Sequence, residues 1–451
     1  MNPTKIPPFN DWLLGQTHRD DLVGSLAKLS LSSKSEEIDR WLREQEDGII
    51  MKPAVDNARA EYAQCVHELQ TVGHSESFPI MLRAISEEAM AASWARHRAA
   101  PTKTPEKYLH ELHKALRKEV ESVRRLYLDT NHWIRLLNVI LGRSRPADSP
   151  YATLLSMLRE LRGRNQLICP CSYPLFHELL KQTDPNTRRR MAALIDELSG
   201  GVCIQPPNQL ERIELKRQIL RAVLGSGAPD VGEWVWVKVS AVVGEIFPVP
   251  LSKSLPRADV VAVRKVMIDQ MWNTPLAALA EFPLPEAQDP LEPLAQAYVK
   301  DAEDYRKRGV PFDRVLMEQK AIYFEQLRKN DFARIAKEVE EQFPDECAAI
   351  ASRGDDCQSY DPNILASIQI KAAVFASFIV STQTKQIVVN DVVDAVHASV
   401  SLPYVDAACL DRGMAHRLSS PPLRFGHVYR AKIFSSPDEL LAWLTKNFSR
   451  H

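Results

Sequence analysis

The chain has little glycine, 16 residues against 30 prolines in 451, and contains no GxGxxG or GxxxxGK[ST] run. Without such glycines a backbone cannot approach a pyrophosphate closely, so the dinucleotide and P-loop classes have no motif support. The seven cysteines (Cys65, Cys169, Cys171, Cys203, Cys347, Cys357 and Cys409) are scattered, odd in number and form no CxxC pair. They predict neither a disulfide framework nor a zinc ribbon, and a reducing cytoplasm is the expected location. No G-x-S-x-G marks a serine hydrolase. His110-Glu111-Leu112-His113 falls one residue short of the HExxH spacing that puts two histidines on one helical face. Long apolar runs are also scarce. The longest, Ile364 to Thr382, carries Lys371 near its centre with Ser367, Gln369 and Ser377, which predicts a buried core helix rather than a membrane span. The opening MNPTKIPPFNDWLLGQ lacks the apolar centre of a signal peptide.

What is present is an ordinary soluble composition, 45% hydrophobic and 25% charged, with enough chain for two or three domains. The net charge of −1 is unevenly spread: residues 101–220 hold 20 basic against 13 acidic side chains, whereas both flanks are acidic. Positive charge around a carboxylate site suits a protein that handles phosphates, and solvated helix faces would produce the same imbalance. Thr187-Arg188-Arg189-Arg190 is open to the same two readings, tracking a nucleic-acid backbone or starting a solvated helix.

Hydrophobic periodicity divides the chain into segments. Residues 1–50 read as a small helical module and 51–122 as a helical connector. In 123–210 short buried runs (Leu126-Tyr127-Leu128, Leu167-Ile168-Cys169, Val202-Cys203-Ile204) alternate with helices. That alternation predicts an α/β fold with a parallel sheet flanked by helices. Residues 211–380 read as a large, mostly helical insertion broken by prolines. The α/β pattern returns over 381–451.

The chemistry is expected where strands end. In RLYLDTNHWIRL, Asp129 closes a buried run, and a carboxylate there is costly unless something compensates it. Glu178 lies in the helix after the second run, Asp394 in a late helix, and Asp411 just past the strand Ala408-Cys409-Leu410. Groups at the carboxyl ends of parallel strands share one crevice. Several carboxylates there cannot all ionise without a counter-charge, and Mg²⁺ or Mn²⁺ would supply one through oxygen ligands. Asp129, Glu178, Asp394 and Asp411 are therefore the expected catalytic and metal-ligating residues, with Asn131, Asp391, His397 and Asp406 supporting them. Each acid also has a plainer reading: Asp129 as a helix cap, Glu178 as a solvated helical residue, Asp391 and Asp394 as first-turn acids, Asp411 as a turn residue.

These four acids in order (YLDTN, CPCSYPLFHELL and NDVVDAVHASVSLPYVDAACLDR) resemble the PIN-domain nuclease family over roughly 123–210 and 381–451. The resemblance implies metal-dependent hydrolysis of nucleic acid, RNA more than DNA, without a covalent intermediate, and self-association. Glu178 and Asp394 are 216 residues apart, which departs from a compact member, so 211–380 must loop out for the site to assemble, and Glu245 or Asp269 could replace Glu178. The stretch FNDWLLGQTHRDDLVGSLAKL resembles the YozE/SAM-like helical family, which implies a docking module for protein or nucleic acid. A haloacid-dehalogenase-type phosphatase would want a second Asp where Asn131 stands. The non-enzymatic alternative is a nucleic-acid- or protein-binding module on a PIN-like core.

Overall fold

The computed structural model describes residues 87–143, 150–225, 234–243, 257–281, 292–351, 365–380 and 388–448, all within a unit spanning Arg83–His451. The module expected at 1–50 and the first part of the connector lie outside the described residues.

Helices α1 (Glu87–Arg98) and α2 (Pro105–Glu121) lead into strand β1 (Arg124–Leu128). Helices α3 (Thr130–Ile140) and α4 (Pro150–Gly163) separate it from β2 (Leu167–Ile168). Next come α5 (Tyr173–Leu180), α6 (Pro185–Ser199), β3 (Val202–Ile204), α7 (Pro207–Leu224) and β4 (Trp236–Lys238). A helical stretch follows: α8 (Arg257–Asn273), α9 (Leu276–Leu279), α10 (Glu292–Arg308) and α11 (Phe312–Leu327). One turn of π-helix, Arg328–Phe332, connects α11 to α12 (Ala333–Gln342), and α13 (Pro344–Ala351), α14 (Ala366–Val380) and α15 (Val389–Ser401) complete the stretch. The described chain closes with β5 (Ala407–Cys409), α16 (Arg412–Ser419), α17 (Phe425–Val428), β6 (Lys432–Phe434) and α18 (Pro437–Phe448).

Four strands form a parallel sheet in the order β2-β1-β5-β6. This is the α/β class that the alternation predicts, except that the run Val202-Cys203-Ile204 stands outside the parallel sheet. Leu126, Tyr127 and Leu128 pair with Ala407, Ala408 and Cys409, and all six are fully buried. Helices cover both faces of such a sheet, which is why its strands read as unbroken apolar runs. An antiparallel pair, β3 with β4, adjoins it through a bridge between Cys171 and Cys203.

The helix boundaries follow local chemistry. Thr104, Asp129, Ser172, Asp184 and Asp411 each accept a backbone N–H of the helix they open, which satisfies donors that have no intrahelical partner. Gly200 ends α6 at φ 63°, a left-handed conformation that favours glycine. Asp196 on α6 accepts from the Leu276 and Ala277 N–H groups (2.8 and 2.9 Å) and so anchors α9.

Among the described residues no helix is long and apolar enough to cross a membrane. The run containing Lys371 forms α14, and its Ile370, Ala373 and Val374 share one buried cluster with Tyr127, Ile168, Val202, Ala398, Ala408 and Met414. Lys371 donates to Glu211 and lies over the Tyr323 ring, 4.9 Å from its centroid. In the basic cluster, Arg188 is buried and donates to the carbonyls of Ala280 and Gln182 (both 2.6 Å). It holds loops together, while Arg189 and Arg190 beside it are exposed near the start of α6.

Candidate active site

The sheet order fixes where a site belongs. From β1 the chain steps to β2 on one side, while β5 and β6 lie on the other, so the strand order reverses between β1 and β5. In open α/β sheets that reversal leaves a crevice outside the carboxyl ends of the two strands. Asp129 follows β1 directly, and Asp411 lies two residues past β5. The carbonyls at these strand ends are occupied: Trp133 Nε1–H donates to Leu128 O (3.0 Å), and His132 Nε2–H donates to Leu410 O (3.3 Å).

Asp129 is buried and caps α3, its Oδ1 accepting from the Asn131 backbone N–H at 2.9 Å. The cap occupies one oxygen, and Oδ2 takes no hydrogen bond among the described residues. Burial raises the pKa of Asp129; His132 and His397 counter that rise, and the Asp411 charge adds to it. Asp411 caps α16, accepting from Gly413 N–H (2.7 Å) and from Met414 N–H. A Cβ on Gly413 would stand 3.1 Å from Asp411 Oδ1, tight enough to disturb the carboxylate.

Glu178 and Asp394 come from two helices in contact, α5 and α15. Glu178 accepts from Thr130 Oγ1–H and from His397 Nε2–H (3.1 Å). Burial alone would raise its pKa, but those two partners outweigh it and hold the carboxyl below the ordinary glutamate range. Asp394 takes no hydrogen bond among the described residues. Burial first, then the charge of Asp411, pushes it up to about 7; His397 opposes this, and Asp129 and Glu178 add to it. Asp394 therefore lies within electrostatic reach of the other three predicted acids, and Asp129 within reach of Asp411. Among the described residues, however, no three His, Cys, Asp or Glu side chains form a group that could hold a metal ion as they stand.

His397 is the centre of a buried chain. Its Nδ1 meets the Tyr127 hydroxyl, which in turn meets Ser172 Oγ at 2.7 Å. If Tyr127 donates to Nδ1, the ring proton sits on Nε2, aimed at Glu178. Orientation of the carboxylate thus begins inside β1, a role that reading Tyr127 as a strand residue conceals.

The other supporting residues separate. Asn131 contributes its backbone N–H to Asp129, and its side chain is exposed. Asp391 accepts from the Val388 N–H (2.9 Å) at the start of α15 and lines the same cleft as Asp394. Asp406 sits at the opposite, amino end of β5, where the Arg125 backbone N–H and guanidinium donate to it (3.0, 2.9 and 3.2 Å). Against burial, Arg125 holds its carboxyl below the ordinary aspartate range. It braces two strands, away from the crevice. Asp269 accepts from Ser93 (2.6 Å), Arg96, His97 (2.8 Å) and Tyr108, which ties α8 to α1 and α2 and fully engages it there. Glu245 lies outside the described residues.

A cleft of about 490 Å³ has Asp391, Asp394, Asp411 and Arg417 in its walls; Asp129 and Glu178 are not part of its lining. Arg417, on the helix that Asp411 caps, donates to Ser377 Oγ (3.1 Å) and stacks on Phe378, 4.1 Å from the ring centroid. Burial lowers its pKa, and the charges of Asp391 and Asp411 counter that. It forms no ion pair among the described residues. The only sequence signal for it was its position six residues after Asp411 in DRGMAHR.

Comparison with protein-family models, curated proteins and solved structures found no match.

Proposed function

We propose that this protein is a metal-dependent nuclease with a PIN-like core, hydrolysing phosphodiester bonds and most readily those of RNA. The observation that carries this reading is the set of four acids around the β1–β5 crevice, where burial first and then the charges of the other three push Asp394 up to about 7. Such a charge excess calls for a cation, and an all-carboxylate donor set is the kind that hard divalent ions prefer. Asp394 and Asp129 Oδ2 take no hydrogen bond among the described residues, which suits them to ligation. Asp129, Glu178, Asp394 and Asp411 would hold the ion. When bound, Mg²⁺ or Mn²⁺ supplies an activated water and stabilises charge on the phosphate.

The chain's own groups do the rest. Thr130 and His397 fix the Glu178 carboxylate, and Tyr127 and Ser172 fix His397. Arg417, half-buried and ion-paired with no carboxylate among the described residues, takes a phosphate oxygen beside Asp394 and Asp411. In this reading 123–210 and 381–451 form the core, joined by the β1–β5 pairing, and the intervening helices build around it. A cytoplasmic protein with a docking module at residues 1–50, and self-association, belong to the same proposal.

The reading is tested with labelled RNA and DNA strands incubated with Mn²⁺, Mg²⁺ or EDTA. Cutting that requires the metal supports it. Binding of nucleic acid with no cutting under any metal favours the second reading, a binding module. The one observation on the side of that reading is that the acids form no gathered ligand group among the described residues.

A further inference from the structure

A second cavity of about 470 Å³ lies beside the acidic cleft and shares Asp391 and Phe378 with it. It is formed by α5 and α15, which carry Glu178 and Asp394, together with α7, α11, α14 and the π-turn. Its volume is in the range of small-ligand sites. Tyr173, Tyr323, Phe375 and Phe378 give it aromatic walls, and Asn208, Gln326 and Asn330 add amide groups. Single π-turns inside helices recur at functional sites, and this one brings Asn330 and Asp331 to the wall.

Charge decides what fits. The cations of the cavity are already matched: Lys371 with Glu211, and Arg212 with Asp331 at 2.7 Å. A phosphate would gain little here, whereas a flat, neutral, polar ring could stack on the aromatic walls and bond to the amides. Arg417, which forms no ion pair among the described residues, is on the cleft side. We infer that this cavity is a nucleobase subsite, taking one base of the substrate while its phosphate lies in the cleft against Arg417. This rests on the nuclease reading and adds to it a pocket, built mainly by residues 207–380, that selects the base next to the cut.

The test is direct binding to the full chain in EDTA, by calorimetry, of the four nucleoside 5′-monophosphates, with ribose 5-phosphate as the base-free control. At least one nucleotide should bind about tenfold or more tighter than the sugar phosphate, the gain expected of one stacked base. Tyr323→Ala should remove that advantage and leave ribose 5-phosphate binding unchanged. Asn330→Ala, at an exposed position outside the core, should alter the preference among the four bases and guards against a folding defect in the tyrosine variant. The subsite is overturned if no nucleotide exceeds ribose 5-phosphate, or if neither variant changes the order of affinities. If metal-dependent cutting persists in that event, the nuclease reading survives and only the subsite falls. Base-dependent binding that Tyr323→Ala abolishes upholds the subsite even where nothing is cut, and then it is the hydrolytic reading that falls.

Discussion

Asp394 and Arg417 carry the electrostatics of the cleft in opposite senses. An aspartate whose folded pKa lies above its unfolded value of about 3.9 favours folding below that value and loses the contribution as pH rises through the folded pKa. With Asp394 pushed up to about 7, the protein in EDTA should lose stability from about pH 4 to pH 7, and Asp394→Asn should lose less over that range. Thermal unfolding at several pH values measures this, and identical slopes would contradict it. Glu214 acts in the same sense in both proteins, because burial lifts it to about 7 despite donors from Ser367 and Tyr404, so its contribution cancels in the difference between the two curves. Arg417→Gln should weaken nucleic-acid binding by about threefold to tenfold and reduce the salt dependence by roughly one phosphate contact. An unchanged salt slope would remove Arg417 from the phosphate path. At this scale the sequence was partly legible. Acids at the ends of apolar runs stand out, because a lone carboxylate there needs a reason. Tyr127, Ser172 and Arg417 did not stand out, because a strand tyrosine, a capping serine and a helical arginine look the same with or without a partner across the fold.

Helix boundaries were legible for a physical reason: capping is local chemistry. Ser172-Tyr173-Pro174 and Gly200-Gly201 announce the start of α5 and the end of α6, and the structure uses both. Gly200 is more constrained than its position suggests. At φ 63° any Cβ is strained, and here it would lie 2.1 Å from Arg162 Nη2. Gly200→Ala should therefore cost about 1–2 kcal/mol of stability, read by denaturant unfolding. A neutral result would mean that both the turn and Arg162 relax freely. Strand β4 was not legible. Three residues, Trp236 to Lys238, are too short for a period to show, and their pairing with Val202 to Ile204 is a property of the fold and not of the segment. Asp406 shows the same limit from the other side. Its place near a strand suggested the site, but only the direction of β5 reveals that it stands at the amino end, against Arg125.

Across the whole molecule, pairing of β1 with β5 brings Asp129 beside Asp411 over an interval of hundreds of residues. The helices between them are part of the same packing: Ile370, Ala373 and Val374 of α14 are buried with residues of the sheet and of α15. Deleting residues 211–380 should leave a chain without a cooperative unfolding transition, because that core would lose one wall; a compact, cooperatively folding remainder would show the helices to be a separable insertion. The fold class could be read from the alternation of strands and helices, but the role of α14 could not. An apolar run with a central lysine is ambiguous until Glu211 and the Tyr323 ring are seen to accommodate the charge.

The central claim is that four carboxylates at the β1–β5 crevice work on phosphodiesters, and Asp129 tests it most directly. The measurement is the initial rate of cutting of a labelled RNA strand in Mn²⁺ by wild type and by Asp129→Asn, with nucleic-acid binding measured on both. Asn131 N–H can still donate to the asparagine oxygen, so α3 keeps its cap and the fold should survive. The expected result is metal-dependent cutting that falls by about a hundredfold or more in the variant, of the order seen when a group stabilising a transition state is removed, with binding nearly unchanged. Equal cutting by both proteins, or none by wild type with any metal, would contradict it.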